Sequence, residues 1–140
     1  MALSISQKQN YMFIGFIIAT ALTSILIYHL TQQKWVLLSK AENNYYNKSY
    51  KQAIEFYNES IELGKTNPNV YLHLAESYIA TGNFVEGIKN YRLYLEIYPH
   101  DSSVRLLLAR ALSWNHQIDE AEKEYQLMME QSNEELETGS

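Results

Sequence analysis

The sequence predicts an all-α protein, in which an apolar helix long enough to cross a bilayer is followed by three helix-turn-helix units. Three observations carry this expectation. Residues 11–30, YMFIGFIIATALTSILIYHL, hold no charged side chain apart from any charge on His29 at the far end. Beyond them apolar residues recur at helical spacing, as in Tyr71, Leu74, Ala75 and Tyr78. The pattern also repeats: Phe84 lies 34 residues after Tyr50 and 34 before Ile118, and Tyr91 stands likewise between Tyr57 and Tyr125. Small residues keep the same register, with Ala75 between Ala41 and Ala109 and Gly87 between Ala53 and Ala121.

Composition narrows the function classes. All but one of the 11 basic residues and all 16 acidic residues follow position 30, so the hydrophilic part is acidic and repels phosphate backbones. Nucleic acid is therefore not an expected partner. The chain has no cysteine, which excludes disulfides, thiolate metal sites, a cysteine nucleophile and a lipid-modified N-terminal cysteine.

The first element is a short polar tail, 1–10, and the second is the apolar segment 11–30. At about 1.5 Å per residue this segment covers ~30 Å, the thickness of a bilayer's hydrocarbon core. Tyr11 at one end and Tyr28 and Trp35 at the other suit the two interfaces. Ala19-Thr20-Ala21 has the small-x-small form of a signal-peptide cleavage site. Cleavage there would leave the apolar stretch Leu22–Leu30 at the new N-terminus, so a retained anchor is expected. Three short repeats also have nowhere to bury a helix that is apolar all round. Gly15, Ala19 and Thr23 lie four apart and place small residues on one face, where another transmembrane helix could pack. Positive charge is nearly balanced across the segment, with Lys8 and the amine on one side and Lys34 and Lys40 on the other. The usual orientation of a first span then puts the repeats on the periplasmic side of a bacterial inner membrane. No Gly or Pro occurs from Leu30 to Asn47, so the anchor is expected to run on into the first repeat helix, the alternative being a break at Thr31-Gln32-Gln33.

The repeats then occupy 31–135, in units of about 34–67, 68–101 and 102–135, ahead of a tail at 136–140 expected to be disordered. Tyr50–Leu63 forms the second helix of the first unit, closed by Gly64, and Pro68 opens the next helix. Thr81-Gly82-Asn83 is the turn inside the second unit, and Pro99 ends it. Asp101 caps the next helix and Asp119 opens the last.

Within 68–101, Tyr71, Leu74, Ala75, Tyr78, Gly82, Phe84, Gly87, Tyr91 and Pro99 resemble the motif of the tetratricopeptide repeat, a 34-residue helix-turn-helix unit. The first unit carries Leu37, Ala41, Tyr50, Ala53 and Tyr57 in that register, and the third Leu108, Ala109, Leu112, Ala121 and Tyr125. Both depart from it at the turn, where Lys48 and His116 replace glycine. The resemblance implies a short right-handed α-solenoid whose first helices line a groove for a protein or peptide partner. By phase that face is Leu38, Glu42, Tyr45 and Tyr46, then Leu72, Glu76 and Ile79, then Leu106, Arg110, Ser113 and Trp114. Tyr45, Tyr46 and Trp114 are its expected anchors, unless Tyr45 and Trp114 are buried between neighbouring helices. Family members that hold a heat-shock chaperone's C-terminal carboxylate place Lys and Asn where Leu38 and Glu42 stand here, so that clamp is not expected. At the far end Leu127, Met128 and Met129 would lie partly exposed, or dock on a second copy or a larger partner. Leu106–Gln126 further resembles repeats in bacterial exopolysaccharide and cellulose export scaffolds, and cytochrome maturation factors use similar anchored repeats.

Catalysis is not expected. His29, His73, His100 and His116 lack partners at metal-ligand spacing, and each reads as solvated or capping. No phosphate loop or GxSxG motif occurs, and no metal or cofactor is called for. The two Asn-x-Ser triplets, at Asn47 and Asn58, matter only in a eukaryotic lumenal setting. The expected function is a membrane-anchored adaptor or scaffold in assembly of a membrane or envelope complex. The alternative is a structural accessory subunit of a larger membrane enzyme or secretion machine.

Overall fold

A computed structural model describes residues 5–64 and 66–138, with side chains described over 7–64 and 66–130. It contains α1 (Ile5–Tyr46), α2 (Tyr50–Glu62), α3 (Pro68–Ala80), α4 (Phe84–Ile97), α5 (Ser102–Trp114) and α6 (Ile118–Thr138). Among the described residues there is no strand. The chain divides into two units, Met1–Val36 and Leu37–Ser140.

In the first unit α1 is helical from Ile5, so the polar tail expected over 1–10 is already wound for half its length. Gln7, Lys8 and Gln9 are good helix formers and no Gly or Pro interrupts them. The helix also carries on through Thr31-Gln32-Gln33. Met12, Phe13, Phe16, Ile17 and Leu22 are all exposed, and the apolar window has no protein cover. The hydroxyls of its threonines and of Ser24 are satisfied internally. Thr20 donates to the Ile17 carbonyl (2.9 Å), Thr23 and Ser24 to that of Thr20 (2.9 and 2.8 Å), and Thr31 to that of Ile27 (2.7 Å). A helix in hydrocarbon must meet this condition, because no water is there to serve a free hydroxyl.

In the second unit α2 packs on α3, α3 on α4, α4 on α5 and α5 on α6. The repeat register explains the core. Ala41, Ala75 and Ala109 are buried at one repeated position, and Ala53, Gly87 and Ala121 at another. At Gly87 the approach is closest: an added Cβ would fall 2.5 Å from Ile79 Cδ1, 2.8 Å from its Cγ1 and 3.3 Å from the Ala75 carbonyl. Larger side chains, Tyr57 and Leu74 in one cluster and Tyr91, Leu108 and Leu112 in the other, fill the space these small residues leave.

The three turns inside the units are built alike. The N–H groups of Ser49, Asn83 and Gln117 reach back to the carbonyls of Asn44, Tyr78 and Leu112 (2.8, 2.9 and 2.9 Å). Those of Lys48, Gly82 and His116 bond Tyr45, Ile79 and Ser113 (2.9, 3.0 and 3.1 Å), completing the Schellman pattern that satisfies a helix's last carbonyls. The pattern needs one residue at positive φ, and Lys48 and His116 adopt it without being glycine. Helix starts are capped as the sequence suggests: Asn83 accepts from Glu86 N–H (3.3 Å) and Asp101 from Val104 N–H (3.1 Å), while Pro68 takes the first position of α3.

Three further polar contacts lie at the end of the second unit and in the third. Tyr94 donates its hydroxyl to Asp101 (3.0 Å). Arg105, which replaces the bulky residue of the motif, pairs with Glu124 (2.7 Å) and bonds the Pro99 carbonyl (2.5 Å). The tail expected to be disordered over 136–140 is helical as far as Thr138, and residues 139–140 lie outside the described residues. Glu, Gln, Leu and Met sustain the helix and the first breaker is Gly139.

Candidate partner-binding face

The first helices of the three units are the end of α1, α3 and α5. Glu42, Tyr45 and Tyr46 of α1 and Tyr57 of α2 meet around His73 of α3. The Tyr45 ring stacks on the His73 imidazole (centroids 4.3 Å apart, planes 13° apart), and Tyr46 meets both rings edge-on. His73 Nδ1 lies 3.1 Å from Glu42 Oε1 and 3.2 Å from the Tyr57 hydroxyl. An ionised carboxylate cannot donate, so Nδ1 carries the proton and Glu42 accepts it. The Tyr45 hydroxyl donates across the helices to Glu76.

This corrects the reading of His73 as solvated or capping. Its side chain is only 18 % exposed and holds α1, α2 and α3 together through one ring. Tyr57 is buried and belongs to the same network, though its motif position marked it only as core. Burial, then the Tyr57 hydrogen bond to Glu42, pushes its phenol well above the usual tyrosine range. Tyr45 shifts the same way, through burial and then the Glu76 hydrogen bond, and so does Tyr91, through burial and then the Glu76 charge. A phenol beside a carboxylate resists ionising because two anions would face each other.

The other expected face residues divide. Leu38 packs on the first apolar cluster and Leu72 and Ile79 on the second, so their surface is largely spent inside the fold. Leu106 is half-buried, Ser113 donates to the Ala109 carbonyl (3.0 Å) and Arg110 is exposed. Tyr46 is 70 % exposed and Trp114 56 %, so Trp114 is not buried between helices; it leans on Phe84 with ring centroids 6.1 Å apart. Gly15, Ala19 and Thr23 lie exposed on the first unit, and Leu127 and Met129 on α6, with Met128 half-buried. The Asn58 triplet is occupied internally: its amide donates to the Tyr78 hydroxyl (2.9 Å) and Ser60 is fully buried. Among the described residues no group of three or more His, Cys, Asp or Glu is placed to hold a metal ion.

Helical hairpins repeating every 34 residues, with small residues at the crossings and Schellman turns between, define a helical-repeat protein. The profile of the tetratricopeptide repeat matches residues 68–111. Comparison with curated proteins gives no match. Among solved structures, the MamA protein superposes with a TM-score of 0.68 at 18 % identity, over 95 % of this chain and 73 % of that one. The first repeat domain of Spaghetti, bound to the HSP90 peptide SRMEEVD, gives 0.60 at 20 % identity, over 71 % and 79 %. PcrH in complex with the chaperone-binding region of PopB gives 0.60 at 13 % identity, over 75 % and 82 %. Residues 68–111 thus carry the tetratricopeptide repeat, and the solved structures share the fold.

Proposed function

We propose that this protein is a non-enzymatic adaptor, held in a membrane by α1, that recruits a protein segment to the first-helix face of its repeats. The observation that carries the reading is the exposure of Tyr46 and Trp114 on first helices, where large rigid rings offer much contact area at little loss of rotamer freedom. Spaghetti and PcrH are similar in fold and were solved with peptide segments of their partners. The uncovered apolar run of α1, with its Thr and Ser hydroxyls bonded to backbone carbonyls, supports the anchor, and an anchored repeat searches for its partner in two dimensions at raised local concentration. Assembly of an envelope complex, such as one for polysaccharide export or cytochrome maturation, is the setting in which such an adaptor would act.

A photoreactive residue at position 46 or 114, activated in the native membrane, tests this directly. Capture of one distinct protein from both positions is expected. A second reading, a structural accessory subunit of a larger membrane machine, is favoured by the exposure of Leu127 and Met129 on α6. Capture of nothing at 46 and 114, while probes at Ala19 or Met128 capture a single stoichiometric neighbour, would replace the first reading with the second. The side of the membrane is read separately with a Ser103→Cys variant, since Ser103 is exposed and the chain has no other cysteine. Labelling of intact spheroplasts by an impermeant maleimide is expected if the repeats face the periplasm.

A further inference from the structure

Glu42, Glu76 and Arg110 stand 34 residues apart, at one and the same position of the three units. Glu42 and Glu76 are both half-buried, and their hydrogen-bond partners are His73 for the one and the Tyr45 phenol for the other. Among the described residues no Lys or Arg pairs with either, although Arg92, Arg105 and Lys89 all find carboxylates elsewhere in the fold. Two carboxylates are thus half-buried and fixed in place by a histidine and a phenol. A cation arriving at this point would meet two fixed carboxylates of opposite charge. Beside them, the exposed Tyr46 ring and the Tyr45–His73 stack present π surface, which also attracts cations.

We propose that this point of the face is the seat for a cationic side chain, an arginine or lysine carried on the partner's docked segment. The assignment rests on the reading that the first-helix face binds a protein segment, and it adds what that segment must contain. The charge is opposite in sense to a clamp for a terminal carboxylate, so an acidic peptide is disfavoured at Glu42 and Glu76. Arg110 is exposed and one unit further along, and its entry into the seat is the competing, intramolecular occupant.

The test uses the full chain in lipid nanodiscs and three fluorescent peptides identical but for one central residue, arginine, citrulline or glutamate. The arginine peptide is expected to bind about tenfold more tightly than the citrulline peptide, the gain of one cation–π and ion-pair contact. Glu76→Gln, which keeps an oxygen acceptor for Tyr45, should erase that preference. Glu76→Lys should turn the preference toward the glutamate peptide, a gain that no loss of folding could imitate. Arg110→Gln should leave the preference intact or sharpen it; loss of the preference in this variant would overturn the seat. Equal affinity for the arginine and citrulline peptides would overturn the cation seat and leave the docking face standing. Failure of all three peptides to bind would overturn both.

Discussion

Lys48, Gly82 and His116 occupy equivalent turns with φ of 60°, 81° and 62°, and only one of them is glycine. A side chain in this left-handed region costs roughly 1–2 kcal/mol, part of which glycine returns through its greater freedom in the unfolded chain. His116→Gly and Lys48→Gly are therefore each expected to stabilise the repeats by about 0.5–1 kcal/mol. In a domain of this size that raises the melting midpoint by a few degrees, read by circular dichroism in detergent. Gly87 presents the opposite case. Alanine there gains about 1 kcal/mol of helix propensity but drives its Cβ into Ile79, and overpacking costs about 1–3 kcal/mol. Gly87→Ala alone should destabilise. In an Ile79→Ala background the obstacle is gone and the same substitution should become neutral or stabilising, and a double-mutant cycle on melting curves measures the coupling. Additive effects would mean that α3 and α4 can separate without loss.

At the scale of elements the span is open to a decisive insertion test. Arginine at the centre of a transmembrane helix costs about 2.5–3.5 kcal/mol on insertion scales. Ile18→Arg, in the middle of the uncovered apolar run, should move much of the protein from the carbonate-resistant membrane pellet to the soluble fraction or into degradation. The same change at Gln32 should leave it in the pellet. The element order was legible because several boundaries have a local cause: Pro68, Asn83 and Asp101 start helices and Gly64 and Gly82 end them. α6 runs to Thr138, carried by residues of good helix propensity. The site was less legible. Phase alone put Glu42, Tyr45, Tyr46 and Glu76 on one face, and among these Tyr45 touches Tyr46 and Glu76. Phase could not show that His73, three residues before Glu76 and on the same helix, turns its ring between Tyr45 and Glu42. Nor could it show Ile79 turning toward Gly87, because that depends on how closely α3 and α4 approach.

For the molecule as a whole, the tyrosines set a limit at high pH. Among 12 tyrosines, Tyr57, Tyr91 and Tyr94 are buried and Tyr45 is locked to Glu76, and the pKa of each is raised in the fold. Burial is the largest cause in all four, followed for Tyr94 by its bond to Asp101. An unfolded tyrosine ionises near pH 10, whereas these keep their protons while folded. The stability they confer is therefore fully present below about pH 10 and falls as pH rises beyond it, because the native state then binds more protons than the unfolded one. The slope is about 1.4 kcal/mol per pH unit for each fully buried phenol, so Tyr57 and Tyr91 together remove several kcal/mol within one to two units. Stability of a domain is only about 5–15 kcal/mol, so the repeats should unfold cooperatively in that window. Absorbance at the tyrosinate band should then rise in two stages, exposed phenols first and the buried set together with loss of helix signal. Tyr57→Phe should flatten the alkaline slope while lowering stability at neutral pH, where it takes a hydroxyl out of the network of His73 and Glu42. A single smooth titration with the helix signal unchanged would mean that these phenols reach solvent without unfolding, and that the network around His73 opens on its own.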